Sequence, residues 1–196
     1  MAKKVTDKLL IVFIDSPLPT DERTDGVSGE LDSTESLLHH VKEVAMRVDA
    51  KRHLYYSNVI DENDNWPKTH FIKYLQCNGD VGEQLKGAFQ NGFKKGYGRI
   101  VCVGVCCEDL MPDDIQKAFD MLNSKQAVIG PSDNGGYYLI GLSSPIESIF
   151  EDKPWGTDAV FKKTYLELLM YNKRIGLLEE KQLINSRESN SSIDLN

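Results

Sequence analysis

The segment Lys8–Ile14, KLLIVFI, constrains the fold more than any other part of the chain. It is a short, continuous, β-branched apolar run without the alternation of a half-exposed strand, so it reads as a strand covered on both faces. Arg99–Val105, RIVCVGV, has the same character. Strands of this kind belong to a mainly parallel sheet with helices above and below, because parallel neighbours need long crossover connections.

The stretches between fit that scheme. From 31 to 48, Leu37, Val41, Val44, Ala45 and Val48 recur on one helical face. Val81, Leu85, Ala88, Phe89 and Phe93 do the same, and Gly96 is placed to end that helix. Pro112 opens a third helix, with Asp113 and Asp114 in its first turn, where the helix dipole favours acids. A fourth follows Thr157, a suitable N-cap. Shorter strand segments are HLYYS (53–57), HFIKYLQ (70–76), QAVIGP (126–131), GYYLIGL (136–142) and IGLLEE (175–180). QAVIGP and GYYLIGL are too closely linked for a parallel crossover, so at least one strand is antiparallel. The expected architecture is a three-layer α/β/α sandwich over residues 1–185, one domain, followed by a polar tail, 186–196, read as disordered.

Charge and hydropathy exclude several function classes. The formal net charge is −7, and nothing basic dominates to neutralise the phosphates of a nucleic acid or an acidic membrane surface. No apolar run approaches the roughly 18 residues of a membrane span. The N-terminal run leads into Asp15 and Pro17 without a small-residue cleavage site, so a buried strand explains it better than a signal peptide. Four cysteines without framework spacing fit reduced thiols and a cytoplasmic location.

Four segments carry candidate chemistry. Strand ends are where open α/β sheets bind ligands, and RIVCVGV ends in Cys106, Cys107, Glu108 and Asp109. A CC dipeptide is not a CxxC motif, and neighbouring strand residues face opposite ways, so two small strand-end residues are the simpler reading. Glu108 and Asp109 suit either a hard cation or a solvated turn. In GPSDNGGYYLIGL, Gly135 and Gly136 permit close approach to a ligand beside Asp133 and Asn134; a tight hairpin explains them equally well. PWGTD pairs Trp155 and Thr157 with a helix start, either as an aromatic wall facing an anion or as a buried ring and a cap. GDVGEQL places Asp80 and Gly82 at another helix start. Trp66, in DENDNWPK, is expected on an exposed surface loop.

In order along the chain, SPLP, QCNGDVGEQL, VGVCCEDL, IGPSDNGGYYLIGL and PWGTDAVF resemble the bacterial glycosyltransferase-like family of the selenodomain-associated transferase type. This family is related to nucleotide-diphospho-sugar transferases. The resemblance covers roughly residues 8 to 165. It implies a Rossmann-like GT-A fold that binds a nucleotide sugar or nucleotide, usually with Mg²⁺ or Mn²⁺. It further implies ligand contacts at Pro17, Asp80, Gly82, Asn134, Gly135, Gly136, Trp155 and Thr157, catalytic carboxylates at Asp133 and Asp158, and a metal carboxylate at Asp109.

The same resemblance exposes departures. The family's basic phosphate-binding run corresponds here to PLPTDERTDG, and residues Asp15 to Gly26 hold four acids against Arg23 alone. Cys106 stands where the family places a metal carboxylate, and a thiol is a soft ligand for a hard cation. Asn134 replaces the acid of the family's D-G-G, and Gln84 the arginine of its G-E-R. Beside a minor reading as a thiol or metal protein built on Cys106 and Cys107, two functions stay open. One is a transferase with an altered donor or metal, drawing on Asp109, Asp133 or Glu108 for the cation and Asp158 or Asp133 as base. The other is a pseudoenzyme that keeps the fold as a binding or partner module.

Overall fold

A computed structural model describes residues 7–14 and 28–184, with side chains from Glu35 onward in the second stretch. Pro17, the acidic stretch after the first strand and the 186–196 tail lie outside the described residues. The elements in order are β1 (Lys8–Phe13), α1 (Ser28–Met46), β2 (Lys51–Tyr56), β3 (Ile72–Leu75), α2 (Val81–Lys94), β4 (Arg99–Gly104), α3 (Pro112–Met121), β5 (Ala127–Pro131), β6 (Tyr137–Leu142), α4 (Val160–Met170) and β7 (Ile175–Leu177). A short 3-10 turn, Glu147–Phe150, precedes α4.

The strands form one mixed sheet in the order β3-β2-β1-β4-β6-β5-β7. β6 alone among the described strands runs against its neighbours, β4 and β5. All other pairings are parallel. The reversal is the hairpin that the short QAVIGP–GYYLIGL link demands.

Alternation along the central strands splits the core into two layers. Leu10 and Val12 of β1 and Val101 and Val103 of β4 pack with Val41, Val44 and Ala45 of α1 and Ile115, Ala118 and Phe119 of α3. Leu9, Ile11, Ile100 and Cys102 pack on the other face with Leu85, Ala88 and Phe89 of α2, Leu168 of α4 and Phe150. Leu9, Leu10, Ile11 and Val12 have no exposure at all. Each such side chain contributes about 1.5–3 kcal/mol relative to the exposed state. This explains why an unbroken apolar run identified the central strand.

Polar anchors hold the strand ends. Arg52 of β2 caps α1, donating from Nε to Ala45 O (2.6 Å) and from Nη2 to Val48 O (2.5 Å). Gln76, nearly buried, donates to Ile14 O and ties the ends of β1 and β2 together.

Two local expectations are corrected. Trp66 is 4% exposed, packed edge-to-face on Phe71 at 4.9 Å, and belongs to the core. The loop around it is organised by Asp64, which accepts from Tyr56 Oη, Trp66 N (2.9 Å) and Lys73 Nζ (2.6 Å). Thr157 does not cap α4, whose N-cap is Ala159. Its hydroxyl donates to Pro154 O (2.8 Å) and accepts from Ala159 N (3.3 Å), shaping the turn before the helix.

Candidate functional site

The chain leaves β1 to build β2 and β3 on one side, then returns to place β4 on the other. A crevice opens at the carboxyl ends of strands on either side of such a switch point. Here Phe13 at the end of β1 and Gly104 at the end of β4, Cα partners in the register, both line a cavity of about 390 Å³. That volume suits a small organic ligand.

Three loops meet over the strand ends, and two glycines let them touch. Asp80 is the N-cap of α2: its Oδ1 accepts from Glu83 N (2.9 Å), while Glu83 Oε2 accepts from Asp80 N (3.2 Å). Two residues on, a Cβ at Gly82 would lie 2.1 Å from Phe150 O and 2.6 Å from Trp155 Nε1. Gly135, with φ +79°, lies against the third loop, where a Cβ would sit 2.1 Å from Asp158 O. These contacts weld the start of α2 and the β5–β6 loop to the Trp155–Asp158 loop.

Of the sequence candidates, Asn134, Gly136, Trp155, Thr157 and Asp158 come together in the crevice lining, and Cys106 joins them. Gly82 and Gly135 support that lining from behind. Asp80 and Asp133 lie outside it. Asp80 is engaged as a cap, and Asp133 Oδ1 accepts from Leu183 N (3.2 Å). Asp109 also lies outside the lining, and its carbonyl accepts from Lys181 Nζ (2.7 Å). The two cysteines part company: Cys107 enters the α1/α3 side of the core, and burial pushes its thiol pKa up. Cys106 borders the crevice.

The structure adds residues that the sequence did not single out. Tyr137 stands edge-on to Trp155, 6.2 Å between ring centroids, and its burial pushes the phenol well above its ordinary pKa. It therefore stays neutral. Val81 and Leu85 of α2, and Leu183 and Ile184 near the end of the described chain, supply further apolar wall. Val81 and Leu85 carried a periodic signal as one face of a helix; Leu183 and Ile184 lie in a polar context that shows no pattern.

The electrostatic character follows from this roster. Among the described residues lining the crevice, Asp158 is the one carboxylate, and there is no lysine, arginine or histidine. The Asn134 carboxamide oxygen accepts from Ser132 Oγ (2.7 Å) and Gly136 N (3.1 Å). The loop thus keeps an acceptor that an aspartate would also supply, and what remains for a ligand is the amide donor. No group of three His, Cys, Asp or Glu side chains among the described residues is placed to hold a metal ion. Mg²⁺ and Mn²⁺ want several hard oxygens, so a thiol, an amide and one carboxylate do not fit them.

Comparison with known proteins agrees with this topology. A Desulfovibrio desulfuricans G20 protein described as a "putative nucleotide-diphospho-sugar transferase" superposes with a TM-score of 0.78 at 23% identity, covering 95% of this chain and 90% of its own. CMP:2-keto-3-deoxy-manno-octonic acid synthetase in complex with CTP matches with a TM-score of 0.53 at 10% identity, over 88% and 89%. Rv0371c of Mycobacterium tuberculosis H37Rv, in complex with manganese, gives 0.54 at 12% identity, over 93% of both chains. At such identities these matches establish the fold: a nucleotidyltransferase-like α/β architecture. No curated protein matches the chain in sequence. The family described as "Uncharacterized protein conserved in bacteria (DUF2064)" matches residues 40–157, which include α2, β4, the hairpin loop and the Trp155 turn, and the chain belongs to that family.

Proposed function

We propose that this chain is a nucleotide-diphospho-sugar transferase-type protein whose crevice receives the uncharged end of a nucleotide sugar, its nucleoside or sugar, while the divalent-metal step of such transferases is lost. One observation carries the reading: the crevice at the switch point is lined by apolar and aromatic side chains with amide and hydroxyl groups, but no described cation or metal cluster. Polyphosphate recognition draws on fixed positive charge or a bound cation, and the described lining supplies neither. The neighbour crystallised with CTP and the one with manganese make nucleotides and Mn²⁺ the natural ligands to test.

A second reading, an active transferase, is favoured by Asp158. This exposed carboxylate lies in the crevice beside Thr157 and Asn134, where a general base for an acceptor hydroxyl would stand.

A thermal-shift panel of nucleosides, nucleoside di- and triphosphates and UDP- and GDP-sugars, each with and without Mn²⁺, separates the two. A ligand at about 100 times its Kd stabilises the fold by about 2.7 kcal/mol. The proposal expects at least one nucleoside or nucleotide sugar to shift the midpoint equally with and without Mn²⁺. A shift that appears only with Mn²⁺ overturns the proposal and favours the second reading.

A further inference from the structure

Beyond β7 the chain stays on the sheet as far as Ile184. Leu178 N donates to Ile129 O (3.0 Å), Lys181 N to Pro131 O (3.1 Å), and Asp133 N to Lys181 O (3.1 Å). Leu183 N then donates to Asp133 Oδ1 (3.2 Å), and Ile184 N to Cys106 O (3.0 Å). The segment thereby crosses from β5 to the loop after β4 and lays Leu183 and Ile184 into the crevice lining.

Two side chains fasten it. Tyr138 Oη donates to Glu179 O (3.1 Å). Lys181 Nζ lies 3.1 Å from Asp114 Oδ2, donates to Asp109 O (2.7 Å) and sits 5.9 Å from the Tyr138 ring centroid. The paired side chains are only 16% and 13% exposed, so solvent screens them weakly. Asp114 is itself held at the head of α3, where its Oδ2 accepts from Met111 N (2.8 Å). Past Lys181, by contrast, the main chain is held by the single bonds from Leu183 and Ile184.

We propose that residues 178–184 form a strap that closes the crevice over Cys106, with the Lys181–Asp114 pair as its latch. When the strap lifts, Leu183 and Ile184 leave the lining and the Asp133 carboxylate loses its main-chain donor. The Cys106 side of the crevice then opens to solvent. One wall of the crevice is therefore set by an ion pair outside the lining, and breaking the latch changes what the crevice presents. The inference rests on the strap's own contacts and is independent of which ligand the crevice takes.

The test is alkylation of Cys106 by iodoacetamide in the full chain carrying Cys77→Ser, followed by peptide mass spectrometry. Cys77 is exposed and would otherwise consume reagent; Cys107, 1% exposed in the core, serves as the internal control. Lys181→Met keeps the aliphatic stem and removes the charge. Ile184→Pro removes the N–H that donates to Cys106 O and leaves the latch intact. Each variant is expected to raise the Cys106 rate about fivefold to tenfold, with the Cys107 rate unchanged. An unchanged Cys106 rate in both variants, or Cys107 rising in step with it, overturns the strap. A rise with Ile184→Pro but none with Lys181→Met overturns the latch.

Discussion

Acidification should destabilise this fold through one residue remote from the crevice. His53 on β2 has no exposure, and neither ring nitrogen has a hydrogen-bond partner among the described residues. It sits among Tyr74, Tyr97 and Tyr55, at ring-centroid distances of 4.8, 5.6 and 6.4 Å. Burial, with a smaller push from Lys95, lowers its pKa from 6.5 to about 4. The unfolded chain therefore binds a proton between pH 6.5 and 4 that the native state refuses, and stability rises with pH across that window and is flat above it. At pH 5 the penalty is about 2 kcal/mol, and it approaches 3 kcal/mol near pH 4. Urea denaturation of the parent and of His53→Phe, a ring of similar size for the same aromatic cluster, at pH 8 and pH 5 measures this directly. Between those pH values the parent should lose about 2 kcal/mol more than the variant. Parallel losses in the two proteins would refute the reasoning, since the linked proton would then belong to other groups.

Other substitutions probe the supports of the site and the loop beside it. Gly135→Ala forces a side chain into a left-handed backbone and against Asp158 O, so it should cost more than about 2 kcal/mol in urea denaturation. Gly136→Ala, whose nearest contacts are yielding side-chain atoms at 3.2 and 3.3 Å, should cost under about 1 kcal/mol. Equal costs would contradict the welded-loop account. Asp64→Ala leaves Lys73, whose side chain is 6% exposed, without its ion-pair partner, so a loss of about 3–5 kcal/mol is expected. Adding Lys73→Met should recover most of that loss in a double-mutant cycle, and failure to do so would assign the cost to the Tyr56 and Trp66 bonds instead.

Much of the fold was legible because burial on both faces leaves a dense apolar signature. KLLIVFI and RIVCVGV announced β1 and β4, and Val41, Val44 and Ala45 announced the inner face of α1. The hairpin followed from a link too short for anything else. Trp66 was misplaced because its shelter is built by polar groups: Asp64 draws Tyr56, Lys73 and the Trp66 N–H together, and no hydrophobic period records that. Thr157 has the chemistry of an N-cap, but Pro154 O competes for its hydroxyl and the helix starts later.

The candidate site was legible as separate blocks rather than as a surface. Asn134, Gly136, Trp155, Thr157 and Asp158 were found through motifs and do converge. The end of the crevice formed by Leu183 and Ile184 depends on two long-range bonds from their N–H groups, to the Asp133 carboxylate and the Cys106 carbonyl, which no local pattern encodes. Asp133 illustrates the same limit: its place in the GPSDNGG block suggests chemistry, whereas its carboxylate accepts from the strap.

The most direct measurement of the central claim is the fluorescence of Trp155, which stands in the crevice, while the other tryptophan, Trp66, is buried on the opposite side of the sheet. Nucleosides and UDP- and GDP-sugars are titrated into the full chain with and without Mn²⁺, and the titration is repeated with Trp155→Phe. The account predicts a saturable change that vanishes in the variant and has the same midpoint in the presence and absence of the metal. A change that needs Mn²⁺, or silence from Trp155 toward every ligand in the series, would contradict it.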